Sequence, residues 1–277
     1  SATAAAALLL GCSSMADDGM PAELDRHLLP ISLSKLEITS CALDLANGET
    51  VALDAKDARK RHPPWSSFKI VNLIIALETG TARGLDHRRR WDPKRRPDRP
   101  YWPAAWRRDH TLRTAFRQSV PWYFRDIALE VGADRYRSDL ARFGYGNASV
   151  PDKSDAFWLG GPLEISAWEQ MVFIKRLISG NFALSPRTLS AVRQVSMGKS
   201  DGDYALHGKT GSGPLQRDDF DGPFEGWFTG WVEREGVPSA SFALYVLGPD
   251  YQSIRTTRLE IAEILLVGAG LLPAAWL

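Results

Sequence analysis

Two side chains one helical turn apart, Ser66 and Lys69, carry the first chemical pattern, in the stretch Ser66-Ser67-Phe68-Lys69. Positions i and i+3 share one face of a helix, so hydroxyl and amine would be neighbours while Ser67 points elsewhere. Serine is a poor nucleophile until a base removes its proton, and lysine is such a base only when burial depresses its pKa or its amine is modified. A helix start also offers backbone N–H groups to a developing oxyanion. The pattern predicts a serine nucleophile with a lysine base.

A second lysine opens the stretch Lys209-Thr210-Gly211-Ser212-Gly213, and two interpretations of it are open. A phosphate-binding loop needs glycine where Asp203 stands and a helix immediately afterwards, which Pro214 opposes. A nucleotide site is therefore disfavoured. In the other interpretation Lys209 and Thr210 lie at the edge of a β-strand and hold an anionic substrate against the nucleophile.

A third pattern, Ser119-Val120-Pro121, lies between these two stretches in the sequence. The Ser119 hydroxyl can relay a proton to a leaving group. Each pattern alone is weak, since Ser-x-x-Lys also arises by chance with its lysine on the surface. What makes them specific is their occurrence together, in this order and spacing.

The elements around these residues predict a sheet built from the two chain ends, with helices between. Segments 36–45 and 50–53 flank Asn47-Gly48, which is typical of a β-hairpin, and segments 226–233 and 239–247 form a second hairpin. Apolar periodicity predicts helices over 66–77, 112–143 and 166–178 and a last one from about Ile254. The fold class is α+β, an antiparallel sheet with flanking helices and an inserted, mostly helical subdomain.

Residues 22–277 are expected to form a single domain, with an α/β part at about 22–64 and 190–277 and a helical part at about 65–189. Residues 1–21 are expected to be a truncated export signal with a tether. The apolar stretch before Cys12 is too short to span a bilayer. Leu9-Leu10-Gly11-Cys12 resembles a bacterial lipoprotein box, and ordinary cleavage near Ala16 is the alternative. We expect an exported, periplasmic protein, with a lipid anchor at Cys12 in the first case.

Composition limits the remaining interpretations. The 277 residues are 44% hydrophobic and 24% charged with a net charge of +1, which is ordinary for a globular protein and favours no partner by charge. Two cysteines, Cys12 and Cys41, cannot form a disulfide framework or a structural zinc site. The arginine-rich region 83–110 invites a nucleic-acid interpretation, but interleaved aspartates favour a solvated loop. We therefore expect no metal and no nucleic-acid partner. The sequence leaves a homodimer open.

Ser-x-x-Lys with Lys-Thr-Gly marks β-lactamases and penicillin-binding proteins. From about Leu36 onward the chain resembles the class D β-lactamases over nearly its whole length. Residues 66–80 are similar to that family's nucleophile helix and residues 226–233 to the strand after Lys-Thr-Gly. Two further family patterns match, Tyr145-Gly146-Asn147 and Phe157-Trp158-Leu159.

The resemblance implies a role for each matching residue. Ser66 would be acylated by a β-lactam, and Lys69 would carry CO₂ as a carbamate that serves as general base, with no other cofactor. Trp158 would donate its indole N–H to that carbamate. Ser119 and Lys209 would transfer a proton to the lactam nitrogen. Thr210 and Arg258 (preferred to Arg255) would bind the substrate carboxylate. The N–H groups of Ser66 and Ser212, beside Gly211, would form the oxyanion hole.

Two departures from the family pattern keep other functions open. Pro121 stands where the family usually has valine, and Trp65 precedes the nucleophile where a small residue is usual. The run from Ser119 to Phe124 is also similar to β-lactam sensor domains, which acylate without fast turnover. A peptidoglycan D,D-transpeptidase or carboxypeptidase shares the serine and lysine patterns, but gives no reason for Tyr145-Gly146-Asn147. Of these three functions, the sequence favours hydrolysis.

Overall fold

The structure is a computed structural model that describes residues 20–33 and 35–277. Cys12 and almost all of the predicted export segment lie outside these residues. In chain order the strands are β1 Ala22–Glu23, β2 Glu37–Asp44, β3 Thr50–Leu53, β4 Arg61–His62, β5 Arg88–Arg89, β6 His110–Thr111, β7 Ile165–Ser166, β8 Met197–Asp201, β9 Tyr204–Pro214, β10 Phe224–Arg234 and β11 Val237–Gly248. The helices are α1 Lys69–Glu78, α2 Leu112–Arg117, α3 Pro121–Val131, α4 Ala133–Phe143, α5 Ala167–Ile178, α6 Pro186–Ser196, α7 Tyr251–Arg255 and α8 Thr257–Gly268.

One sheet carries the strand order β1-β3-β2-β11-β10-β9-β8. Both predicted hairpins form antiparallel pairs, β2 with β3 and β10 with β11. Strand β11 also pairs with β2, and this contact joins the two chain ends in one sheet. The predicted α+β fold is confirmed, with one difference: the edge pair β1–β3 is parallel. The two-residue strand β1 is too short to show alternation in the sequence.

The predicted helical stretch 112–143 is divided into three helices in the structure. Ser119, with φ of 59°, lies between α2 and α3, and Gly132, with φ of 83°, lies between α3 and α4. A positive φ cannot continue a right-handed helix, so the chain turns at both places. The predicted N-cap of α5 is confirmed: Ser166 accepts from the Glu169 N–H, and Glu169 caps Ser166 in return. The turn at Ser119 brings its hydroxyl to the start of α3.

Apolar clusters cover both faces of the sheet. Because side chains alternate along a strand, Trp227 of β10 packs with Met171 of α5, and its neighbour Phe228 packs in the cluster that contains Ile261 and Leu265 of α8. A third cluster surrounds α1, which is apolar on nearly every face and contacts α2, α3 and α6. The division into an α/β part and a helical part stays a prediction. Within residues 20–33 and 35–277, no helix is both long and apolar enough to span a membrane.

Candidate active site

The Ser66 hydroxyl lies in a tight turn directly before α1. Residues Trp65–Phe68 form a 3₁₀ helix that continues into α1, so Ser66 and Lys69 lie on one face. The Lys69 Nζ donates to the Ser66 Oγ over 2.6 Å. Ser67 is occupied elsewhere, since its hydroxyl donates to the Pro64 carbonyl at 2.7 Å and accepts from the Gln170 amide at 2.9 Å. The hydroxyl that is hydrogen-bonded to the Lys69 amine is therefore that of Ser66.

The Lys69 side chain is fully buried at the base of this turn. The Phe124 ring of α3 lies 5.6 Å from its Nζ, and Val120 at the start of α3 is also buried. Burial holds the pKa of Lys69 well below its usual value, and the positive charge of Lys209 lowers it further. This shift favours the neutral amine, which is the form that can accept a proton.

Lys209 of β9 faces the same space from the sheet. Its Nζ donates to the Ser119 Oγ over 3.0 Å and to the Thr210 carbonyl over 2.9 Å. Burial, and secondarily the charge of Arg258, lowers the pKa of Lys209 to about 7. A group with this pKa holds or releases a proton readily near neutral pH. The structure thus brings together two hydroxyl–amine pairs that lie far apart in the sequence.

Strand β9 passes unusually close to the Ser66 turn at Gly211. A Cβ on Gly211 would lie 2.8 Å from the Pro64 carbonyl oxygen and the Ser67 nitrogen and 3.0 Å from the Ser66 nitrogen. Only glycine permits this approach. Because of alternation, Lys209 and Gly211 face the Ser66 turn, and the Thr210 and Ser212 side chains point to the opposite face.

Arg258 of α8 lies on the face to which Thr210 and Ser212 point. It is 6% exposed, and its Cδ lies 3.6 Å from where a Cβ on Gly226 would be. Gly226 pairs with Ser212 across β9 and β10, whereas Arg255 is exposed at the end of α7. An open cleft of about 330 Å³ lies beside Lys209 and Thr210, with Phe116, Met197, Phe228 and Leu259 among its lining residues.

Trp158 is fully buried, and its indole Nε1 has no hydrogen-bond partner among the described residues. Its ring lies 5.4 Å from that of Phe68, the residue before Lys69. Sequence reasoning missed a second such donor, Asn72. Its Oδ1 accepts from Tyr136 at 2.7 Å, and its Nδ2 has no partner in the same part of the chain. The signal was available, because Asn72 is a polar residue three positions after Lys69 in an apolar helix.

Two other features bear on cofactors. Among the residues that the structure describes, no three His, Cys, Asp or Glu side chains are grouped as metal ligands. Cys41 is a free, buried thiol whose pKa is raised by burial.

Pro121 occupies the first position of α3, where a proline fits because that N–H has no partner within the helix.

A serine hydroxyl bonded to a buried lysine and faced by a second lysine–serine pair defines a serine acyl-transfer site. The family model for the penicillin binding protein transpeptidase domain matches residues 38–265. Beta-lactamase OXA-20 of Pseudomonas aeruginosa is 32% identical over 228 residues, which cover 82% of this chain and 80% of that protein. The class D beta-lactamase YbXI from Nostoc has a TM-score of 0.78 at 28% identity and covers 87% of this chain and 98% of its own.

The chain belongs to the penicillin-binding transpeptidase domain family and, within it, to the class D β-lactamases. The C-terminal domain of the Bacillus licheniformis BlaR penicillin receptor also superposes, with a TM-score of 0.78. It covers 87% of this chain and 94% of that domain, and at 24% identity this likeness shows the fold alone.

Proposed function

We propose that this protein hydrolyses β-lactams through an acyl-enzyme on Ser66. The observation that carries the proposal is the 2.6 Å contact between the Ser66 Oγ and the buried Lys69 Nζ, opposite the 3.0 Å contact between Lys209 and Ser119. Family membership supports it, because OXA-20 and the Nostoc YbXI protein, which each match more than four fifths of the chain, are β-lactamases.

In the acylation step the Ser66 oxygen attacks the lactam carbonyl carbon and gives its proton to the Lys69 side chain. The N–H groups of Ser66 and Ser212 stabilise the oxyanion, since β9 lies against the Ser66 turn at Gly211. The C–N bond then breaks, and Ser119 and Lys209 pass the proton held on Lys69 to the departing nitrogen, which leaves Lys69 able to accept a proton again. A pKa of about 7 suits Lys209 to this transfer.

In the deacylation step water attacks the ester carbonyl and gives a proton to Lys69. The bond to the Ser66 Oγ then breaks, and Lys69 returns the proton to that oxygen. We propose that Lys69 is carboxylated by CO₂, which, when bound, supplies an anionic proton acceptor in the buried site. Two observations support this fit. Burial lowers the pKa of Lys69 and so favours the neutral amine, which is the form that reacts with CO₂. The unpaired Nε1 of Trp158 can donate to a carboxylate oxygen.

Substrate binding is assigned to Thr210 and to the buried Arg258 rather than the exposed Arg255. Two cationic side chains, Lys209 and Arg258, lie close enough that the charge of Arg258 lowers the pKa of Lys209. A field of this sign favours the carboxylate that β-lactams carry beside the lactam ring.

Nitrocefin turnover with and without added bicarbonate tests the proposal, on the wild type and on Lys69→Ala. We expect multiple turnovers that increase with bicarbonate in the wild type and are lost in the variant. Acylation of Ser66 without release of product would instead indicate a sensor-type domain. Cleavage of a D-Ala-D-Ala peptide without β-lactam turnover would indicate a peptidase of the same family.

We also propose that the chain is exported to the periplasm with a lipid on Cys12, which the lipoprotein-like stretch Leu9-Leu10-Gly11-Cys12 supports. Mass spectrometry of protein from the native host tests the lipid, because a diacylglyceryl adduct on an N-terminal Cys12 is expected. Cleavage near Ala16 would refute it. Homodimerisation stays a prediction, and light scattering of the purified protein measures it directly.

A further inference from the structure

The residue before the nucleophile, Trp65, is built into the site by contacts that the catalytic steps do not use. Its indole Nε1 donates to the Glu225 Oε1 over 3.1 Å, and its backbone N–H donates to the Trp158 carbonyl over 3.0 Å. Trp65 has a φ of 50°, which is uncommon for a residue with a large side chain. Such a conformation persists only where the surroundings hold it, and it often marks a functional site.

Two glycines form the cavity that the Trp65 ring fills. A Cβ on Gly213 of β9 would lie 2.3 Å from three atoms of the ring, and one on Gly160 would lie 2.7 Å from its Cη2. Neither position therefore accepts a side chain while the ring is present. Gly213 is the next residue after Ser212, and Gly160 lies two residues after Trp158. The ring is thus wedged between the β9 strand and the loop that carries Trp158.

Glu225 of β10 anchors this wedge. The carboxylate is 2% exposed, and besides the Trp65 indole it accepts from the Tyr245 hydroxyl at 3.1 Å. His62 lies within reach, with its Nδ1 3.5 Å from Oε2 and its ring stacked on Tyr245 at 3.9 Å. Glu225 also pairs with Gly213 across the sheet, so the anchor sits opposite the strand position that the ring contacts.

We propose that Trp65, held by Glu225, is a positioning residue for the oxyanion hole. The hole needs the Ser66 and Ser212 N–H groups at a fixed separation, and Trp65 contacts the chain immediately beside each of them. A donor that is slightly misplaced stabilises the transition state less, although the ground-state complex is little affected. This inference rests on the proposed function, because it assigns these N–H groups to a lactam oxyanion.

The test compares Trp65→Phe with Trp231→Phe. Trp231 is a matched control, because it is also buried and its Nε1 donates to a buried glutamate, Glu233, over 3.1 Å. Two quantities are measured on each protein: kcat/KM for nitrocefin, corrected for active fraction, and the Ki of 3-aminophenylboronic acid. This boronic acid forms a tetrahedral adduct on the serine with one oxygen in the oxyanion hole, and its Ki does not depend on how much of the sample is folded.

We expect Trp65→Phe to lower kcat/KM about tenfold and to raise Ki by the same factor, below the 10²–10³ lost with a whole oxyanion donor. Trp231→Phe should leave Ki within about twofold of the wild type, which is the size of difference expected for a substitution that is not coupled to the oxyanion hole. Glu225→Leu should reproduce the Trp65→Phe effect. Glu225→Gln, which keeps an acceptor oxygen, should have kcat/KM and Ki values close to those of the wild type.

An unchanged Ki in Trp65→Phe, or an equal rise in Trp231→Phe, would overturn the inference. A wild-type protein that does not turn over nitrocefin would defeat the proposed function instead, so the two failures are distinguishable.

Discussion

Replacing Lys209 by methionine is expected to make the protein more stable at neutral pH, although it removes a group that we propose transfers a proton. The pKa of Lys209 falls from 10.5 to about 7 on folding. Each tenfold change in an equilibrium constant is worth about 1.4 kcal/mol, so burial of this amine opposes folding by about 4 kcal/mol at pH 7. The variant also loses the hydrogen bonds to Ser119 and Thr210, worth about 1 kcal/mol each. The net gain is about 2 kcal/mol.

The lowered pKa of Lys209 also makes the stability of the protein depend on pH. Between about pH 7 and the unfolded pKa of 10.5, the unfolded chain binds a proton at Lys209 that the native protein does not. Stability from this group therefore rises with pH across that window. At pH 10 burial of the Lys209 amine opposes folding by only about 1 kcal/mol. Because the two lost hydrogen bonds outweigh this gain, Lys209→Met should then be less stable than the wild type by about 1 kcal/mol.

Urea denaturation of both proteins at pH 7 and pH 10 measures this crossover. Methionine at the exposed Lys175 of α5 is the control, and it should change stability little at either pH. A Lys209→Met protein that is less stable than the wild type at pH 7, or a stability difference that does not vary with pH, would show that burial of the Lys209 amine does not oppose folding.

Three further predictions concern the site. Ser66→Ala should abolish acylation by a fluorescent penicillin, seen on a denaturing gel, whereas Ser67→Ala should keep it and lower stability by about 1–3 kcal/mol through the lost buried bonds. Arg258→Ala should raise KM for a carboxylate-bearing β-lactam about tenfold or more with less effect on kcat, while Arg255→Ala leaves both near wild type; equal effects would contradict the assignment. Trp158→Phe should raise the bicarbonate concentration needed for half-maximal activity and weaken the ¹³C carbamate NMR signal; a wild-type signal would exclude the indole as a donor.

Local sequence was sufficient for the nucleophile turn and for much of the sheet. A Ser-x-x-Lys spacing in an apolar helix determines that hydroxyl and amine are neighbours and that the amine is buried, because both follow from helix periodicity and burial of an apolar face. Alternation and Asn47-Gly48 likewise determine the β2–β3 hairpin. The helix break at Ser119 was not predicted, since a non-glycine residue with a positive φ leaves little trace in composition.

Distances between remote segments needed the tertiary structure. The sequence named Lys209 and Ser119, but only the tertiary structure places these two side chains, 90 positions apart in the chain, within 3.0 Å of each other. It flagged Trp65 as a departure from the family pattern without indicating a partner. The partner, Glu225, lies 160 positions away, and the glycines that accommodate the ring come from two other segments. Periodicity describes one element at a time, whereas these contacts depend on how several elements meet, and that is decided by the packing of the whole domain.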